Sequence, residues 1–106
     1  MKDNFIKAIQ NMNKIRLYFY SKEDGSVLVR TCAPMDYGPS RRAAVKNDRY
    51  HLWDYDSDTQ SHTLSLSPEQ IQKMEILAEH FDPAEFITWD TQQSRWFIQR
   101  DWGIYS

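Results

Sequence analysis

Three features predict a mainly β chain, folded as a small antiparallel barrel with an N-terminal α-helix and a short C-terminal helical turn. Short runs rich in β-branched and aromatic residues recur through the middle of the sequence, and turn residues punctuate them. The gaps between runs are too brief for crossover helices, so neighbouring strands should be antiparallel. The chain divides into a helix over 3–13, a barrel over 15–77 and an aromatic-rich extension over 78–106, within one domain of 106 residues.

The helix rests on Phe5, Ile9 and Met12, which stand at i, i+4 and i+7 on one face. Asp3 or Asn4 can cap its start and Asn13 can stop it. Its stripe is short and its exposed charges are few, which fits a lid over one barrel mouth better than an amphipathic docking helix.

The first β run, 15–20, stops at the turn 21–26, whose Asp24-Gly25 pair suits a positive φ. A second run, 27–32, follows at once and makes a hairpin with the first. Past Pro34 a loop is expected over 35–40, then runs at 43–46 and 50–55, a polar turn at 56–60, and a run at 62–66. Residues 67–77 are ambiguous. Ser67-Pro68 with Gln70 in the capping-box position starts a helix, whereas a barrel of four strands lacks closure without another strand, which favours a short helical turn followed by a strand. Asp82-Pro83 predicts a further single helical turn.

Composition narrows the function. A net charge of −2, from 13 Lys and Arg against 15 Asp and Glu, supplies no bulk attraction to nucleic acid, but Arg41, Arg42, Lys46 and Arg49 make a local basic cluster opposed only by Asp48. The single cysteine, Cys32, excludes an internal disulfide and suits a reducing compartment. No hydrophobic run approaches a membrane span and no signal pattern opens the chain, so a cytoplasmic location without membrane contact is expected. Four Trp, six Tyr and five Phe are the composition's excess. Trp89, Trp96 and Trp102 must pack somewhere, either over the barrel's outer face or against a protein partner or a second copy of the chain.

Catalytic material is poor, and no enzyme activity is expected. Cys32 lies in a β run, where cysteine is usually a small buried hydrophobe, and no turn presents it as a thiolate. The acids Asp54, Asp56 and Asp58 begin like a calcium loop, but Thr59 occupies the glycine position and Ser65 the closing glutamate position. The three histidines lack ligand spacing, and three glycines do not build a phosphate loop. No metal and no cofactor are expected.

Binding is better supplied. Alternation places Arg49, His51 and Trp53 on one face of their strand, and sets Arg16, Tyr18 and Tyr20 against the core residues Ile15, Leu17 and Phe19. With Arg30 from the paired strand, these positions would offer rings and guanidinium groups side by side. That is the chemistry that stacks an unpaired base and holds its phosphate. The competing account pairs Arg30 with Asp54 or Glu23 in a surface ion pair and leaves the tyrosines as cross-strand fillers.

The order of motifs resembles the WYL family. The matching residues are the leading helix with Ala8-Ile9, the strand with Leu17 and Tyr20, the turn at Gly25, then Arg30 and Pro34, the Arg49-Tyr50-His51-Leu52 stretch, and Leu64-Ser65-Leu66 leading to Ile71. The family tripeptide stands here as Tyr50-His51-Leu52, and no arginine precedes Leu64 or Ile71. The resemblance covers about the first three quarters of the chain and implies an SH3-like or Sm-like barrel serving as a ligand-sensing module in transcription regulation. It also implies a stand-alone member, since 106 residues leave no room for the family's winged-helix DNA-binding domain. The ligand it implies is single-stranded nucleic acid or a nucleotide, at Tyr18, Arg30, Arg41, Arg42, Arg49, His51 and Trp53. The alternative is an interaction or oligomerisation module that uses the tryptophan-rich tail.

Overall fold

The computed structural model describes residues 1–40, 44, 46–58 and 62–106. It is mainly β: α1 (Lys2–Asn11) precedes five antiparallel strands, β1 (Asn13–Ser21), β2 (Ser26–Pro39), β3 (Asp48–Asp54), β4 (Thr63–Leu66) and β5 (Ile71–His80). Single 3-10 turns stand at Pro68–Gln70, Pro83–Glu85 and Gly103–Tyr105.

The expected caps of α1 are corrected. Met1 occupies the N-cap position without a side-chain bond, leaving Asp3 in the first turn, where its charge favours the positive end of the helix dipole. Met12, at φ 56°, ends the helix in the left-handed conformation. Asn13 belongs to β1 instead, and its side-chain amide donates to the Leu77 carbonyl on β5 at 3.1 Å. The helix buries Phe5, Ala8 and Ile9, and the Phe5 ring meets Tyr50 edge-on at 4.8 Å. Packing, more than capping, therefore holds this ten-residue helix, which is too short to persist alone.

The first hairpin forms as expected. Ser21 pairs with Ser26 across a loop in which Gly25 takes φ 66°. β1 buries Ile15, Leu17 and Phe19 and leaves Arg16 and Tyr20 in water.

The loop expected over 35–40 is instead the second half of β2. Pro34 opposes Leu52 and Asp36 opposes His51, so Met35 is the extra residue of a β-bulge. A proline lacks the N–H of a regular ladder and is tolerated at such a break. The bulge also inverts the strand's facing. Before it Cys32 and Pro34 share the face of Ile15 and Leu52, and after it Tyr37 takes that face while Asp36 and Gly38 turn to the side of His51 and Arg49. Of the expected run 43–46 the structure describes Ala44 and Lys46, neither in a strand, and the others lie outside the described residues.

Residues 67–77 resolve into a turn and a strand. Ser67 and Gln70 exchange both bonds of a capping box, and Gln70 Nε2 donates to the Tyr20 carbonyl at 3.1 Å. Strand order is β4-β3-β2-β1-β5, so β4 and β5 are the two edges of the hydrogen-bonded sheet, and the Pro68–Gln70 turn that follows β4 and precedes β5 is tied to β1 by the Gln70–Tyr20 bond. Leu17, Phe19, Leu52 and Leu66 are buried with Phe5, Ile9 and Ile15, while Leu28 and Leu64 pack half-buried against them. No helix among the described residues is long and apolar enough to cross a membrane.

Leu52 is fully enclosed between β2, β4 and the helix-covered core. Leu52→Ala should lower unfolding free energy by about 2–5 kcal/mol in a denaturant titration. A loss under about 1 kcal/mol would mean that the inward face of β3 had been assigned wrongly.

Candidate ligand groove

The bulge in β2 sets the site, because it turns Asp36 outward beneath the C-terminal extension. Asp36 Oδ1 accepts from the backbone N–H groups of Tyr37 and Ile98, both at 3.0 Å, and Oδ2 accepts from the Phe97 N–H at 3.0 Å. The Arg100 guanidinium donates to Oδ1 at 3.2 Å, to the Ile98 carbonyl at 3.0 Å, and to the Met35 carbonyl. The Arg100 side chain is only 1% exposed, and its guanidinium lies 4.2 Å from the ring centre of Trp96 and 4.4 Å from that of Trp102. Burial pulls Arg100 down to about 10, with Asp36 opposing the shift, so the arginine keeps its charge at neutral pH.

Further contacts complete the docking of this extension. Trp102 Nε1 donates to the Ile9 carbonyl of α1 at 2.9 Å, and Phe86 stacks on Trp53 at 5.7 Å. The Phe97 ring comes so close to Gly38 that a Cβ there would sit 2.5 Å from it. Only a glycine leaves room for that contact.

Between the extension and β3–β4 runs a groove of about 620 Å³. Its floor includes Met35, Asp36, His51 and Ser65, and its wall is Trp89, Trp96 and Phe97 with Arg95. Trp89 and Phe97 remain 38% and 46% exposed. Trp89 meets Trp96 edge-on at 5.8 Å. His51 Nε2 lies 2.8 Å from the Gly38 carbonyl, which can only accept, so Nε2 carries the proton. Arg49 reaches the Ser65 carbonyl at 3.5 Å, and Lys46 donates to the Ser40 carbonyl at 3.1 Å beside Phe97.

The expected site residues are dispersed by this arrangement. His51 lines the groove and Arg49 flanks it. Trp53 shares their strand face, but it is covered, stacked between His62 at 4.9 Å and Phe86. Tyr18 lies across the sheet, donating to Glu75 at 2.8 Å with Lys73 over its ring. Arg30 does not join Tyr18. The register sets Tyr18 opposite Val29 and Leu17 opposite Arg30, which puts Arg30 on the core face. There it donates to the Asp56 carbonyl at 2.7 Å and lies 3.9 Å from Asp54, close to the ion pair weighed against it. Arg41 and Arg42 lie outside the described residues.

Sequence reasoning missed Asp36, Gly38, Arg95, Phe97 and Arg100. One usable signal was a lone arginine spaced between Trp96 and Trp102 in an otherwise aromatic stretch. Another was a glycine in a segment that proved to be strand, a common sign of close approach by another group. Cys32 is buried, and desolvation first, then the nearby Asp54 and Asp56, pushes its thiol up. No group of three or more His, Cys, Asp or Glu among the described residues could hold a metal ion. Comparison with family models, with curated proteins and with solved structures found no match.

Two measurements follow from this geometry. Asp36→Ala strands the buried Arg100 and should cost about 3–5 kcal/mol with a red-shifted tryptophan emission, whereas Asp36→Ala combined with Arg100→Met should recover part of that loss. A double variant no better than the single one would show that the pair is uncoupled. The Cys32 thiol should stay unmodified by a thiol reagent at mildly alkaline pH until denaturant is added, and rapid labelling of the native protein would contradict its burial.

Proposed function

We propose that the chain is a non-enzymatic ligand-binding module with a regulatory role, taking a nucleotide or a short single strand of nucleic acid in the groove beside the C-terminal extension. The observation that supports this reading is the meeting of two exposed rings, Trp89 and Phe97, with Arg95 in one cleft, which Arg49 flanks at the Ser65 carbonyl, while Lys46 lines a smaller cleft on the other side of Phe97. An unpaired base needs a ring face to stack on, worth about 1–3 kcal/mol, and its phosphate needs a cation within reach. The cleft's size falls in the range of about 300–1,000 Å³ usual for small-molecule sites. His51 and Ser65 on the floor add polar groups that can orient a base edge.

The reading agrees with the ligand class that the WYL resemblance implies, but it moves the site. The ligand face becomes the His51 side of β3 with the extension, and Tyr18, Arg30 and Trp53 drop out of it. The interaction-module alternative is less well supported. Trp102 is buried and Trp96 half-buried around Arg100, so most of the tail's aromatic surface is consumed within the chain.

Titration with single-stranded oligonucleotides and with mononucleotides should quench tryptophan emission. Affinity should fall with salt by a slope of about −0.7 per phosphate neutralised. Arg49→Ala should lower both affinity and slope, while Trp89→Ala should weaken binding with little change of slope, because stacking releases no counterions. Arg30→Ala should leave the slope as it is. Unchanged emission at ~100 μM ligand in low salt would overturn the proposal in favour of a protein partner.

A further inference from the structure

The polar side chains on the groove floor are not interchangeable as hydrogen-bond partners. Asp36 accepts from the backbone N–H groups of Tyr37, Phe97 and Ile98 and from Arg100, so it is committed to holding the extension. His51 is different. In the neutral imidazole the Nε2 proton goes to the Gly38 carbonyl at 2.8 Å, which leaves Nδ1 with a lone pair and no hydrogen. No other hydrogen bond engages this ring among the described residues. No buried side-chain nitrogen among them lacks a partner, so the unbonded Nδ1 is open to solvent in a residue that lines the groove.

The register supplies a second group. His51 stands directly opposite Ser65 across β3 and β4, which sets both side chains on one face with Cβ atoms about 5 Å apart. The Ser65 carbonyl accepts from Arg49, and the hydroxyl is unengaged among the described residues. A hydroxyl donates or accepts as its rotor turns, whereas Nδ1 of this tautomer can only accept. Discrimination therefore falls to His51.

A base edge laid on this pair must bring a donor to Nδ1 and can offer a ring-nitrogen acceptor to Ser65. Adenine and cytosine carry that edge, an amino group beside an unprotonated ring nitrogen. Hypoxanthine and uracil carry a carbonyl beside an N–H, which would set two acceptors against each other at Nδ1. The geometry points to His51 as the specificity-determining residue of the groove, selecting nucleotides whose base bears an amino group over their carbonyl counterparts. This selection rests on the groove's being a nucleotide site and adds which bases it takes.

The test compares ligands that differ only at that edge: adenosine monophosphate with inosine monophosphate, and cytidine monophosphate with uridine monophosphate. Tryptophan quenching of the whole chain is followed at mildly alkaline pH, where imidazole is neutral. Stacking and phosphate contacts are common to both members of a pair, so the amino member should bind about tenfold more tightly, the scale of one matched against one mismatched hydrogen bond. His51→Phe keeps a ring and removes the acceptor, and should bring the two members of each pair to equal affinity. Equal affinity within either pair for the unaltered protein, or an undiminished preference in His51→Phe, would overturn the inference and leave the nucleotide reading standing. No quenching by any of the four, or by oligonucleotides, would overturn both. Should His51→Phe fail to fold, a long-range proton–nitrogen correlation spectrum of the unaltered protein reads the tautomer directly, and a proton on Nδ1 in place of Nε2 would overturn the inference.

Discussion

Asp36 gathers the extension onto the sheet through four donors, three of them from residues 97–100. Its partner Arg100 lies against two adjoining indole rings with its charge retained. A buried ion pair of this kind gains little over a well-packed apolar pair, because desolvating both charges costs about as much as their attraction returns. Its value lies in direction. An apolar contact would let the extension slide, whereas a carboxylate with both oxygens engaged fixes which backbone groups face β2, and so fixes where Trp89, Trp96 and Phe97 stand. The β-bulge at Met35 is the precondition, since without the extra residue Asp36 would point into the core.

The sheet's edges are treated differently. β5 is a ten-residue edge, but Lys73, Glu75 and Glu79 stand along it, and charged residues discourage pairing with another sheet. The Lys73–Glu75 contact at 4.0 Å is mostly solvent-exposed, so its part is to keep the edge soluble and not to stabilise the fold. β4, by contrast, is short, four residues of which Thr63 and Ser65 line the groove beside the extension.

Local features were readable wherever a few adjacent residues settle the matter. The Ser67–Gln70 capping box, the Asp82-Pro83 start and the positive φ of Gly25 all follow from neighbours in sequence, as does the facing of β1 and of β3 within each strand. The site needed relations between strands. The four-residue loop of the first hairpin already implies the register that puts Arg30 opposite Leu17, so that misplacement came from reading faces strand by strand. The bulge was hidden because Pro34 and Gly38 look like a loop boundary, and nothing local distinguishes a bulged strand from a turn at such residues. The Asp36–Arg100 pair joins positions 64 apart, and patterns of short range carry no trace of it.

Three of the four tryptophans lie in the extension, and the fourth, Trp53, is stacked under Phe86 from the start of it. Intrinsic emission is therefore a reporter of docking, whereas far-ultraviolet circular dichroism follows the strands. If the hairpins form through their near-neighbour pairings and the extension closes over them afterwards, the two signals will separate in time during refolding. A single denaturation midpoint from both would instead mean that sheet and extension melt as one cooperative unit.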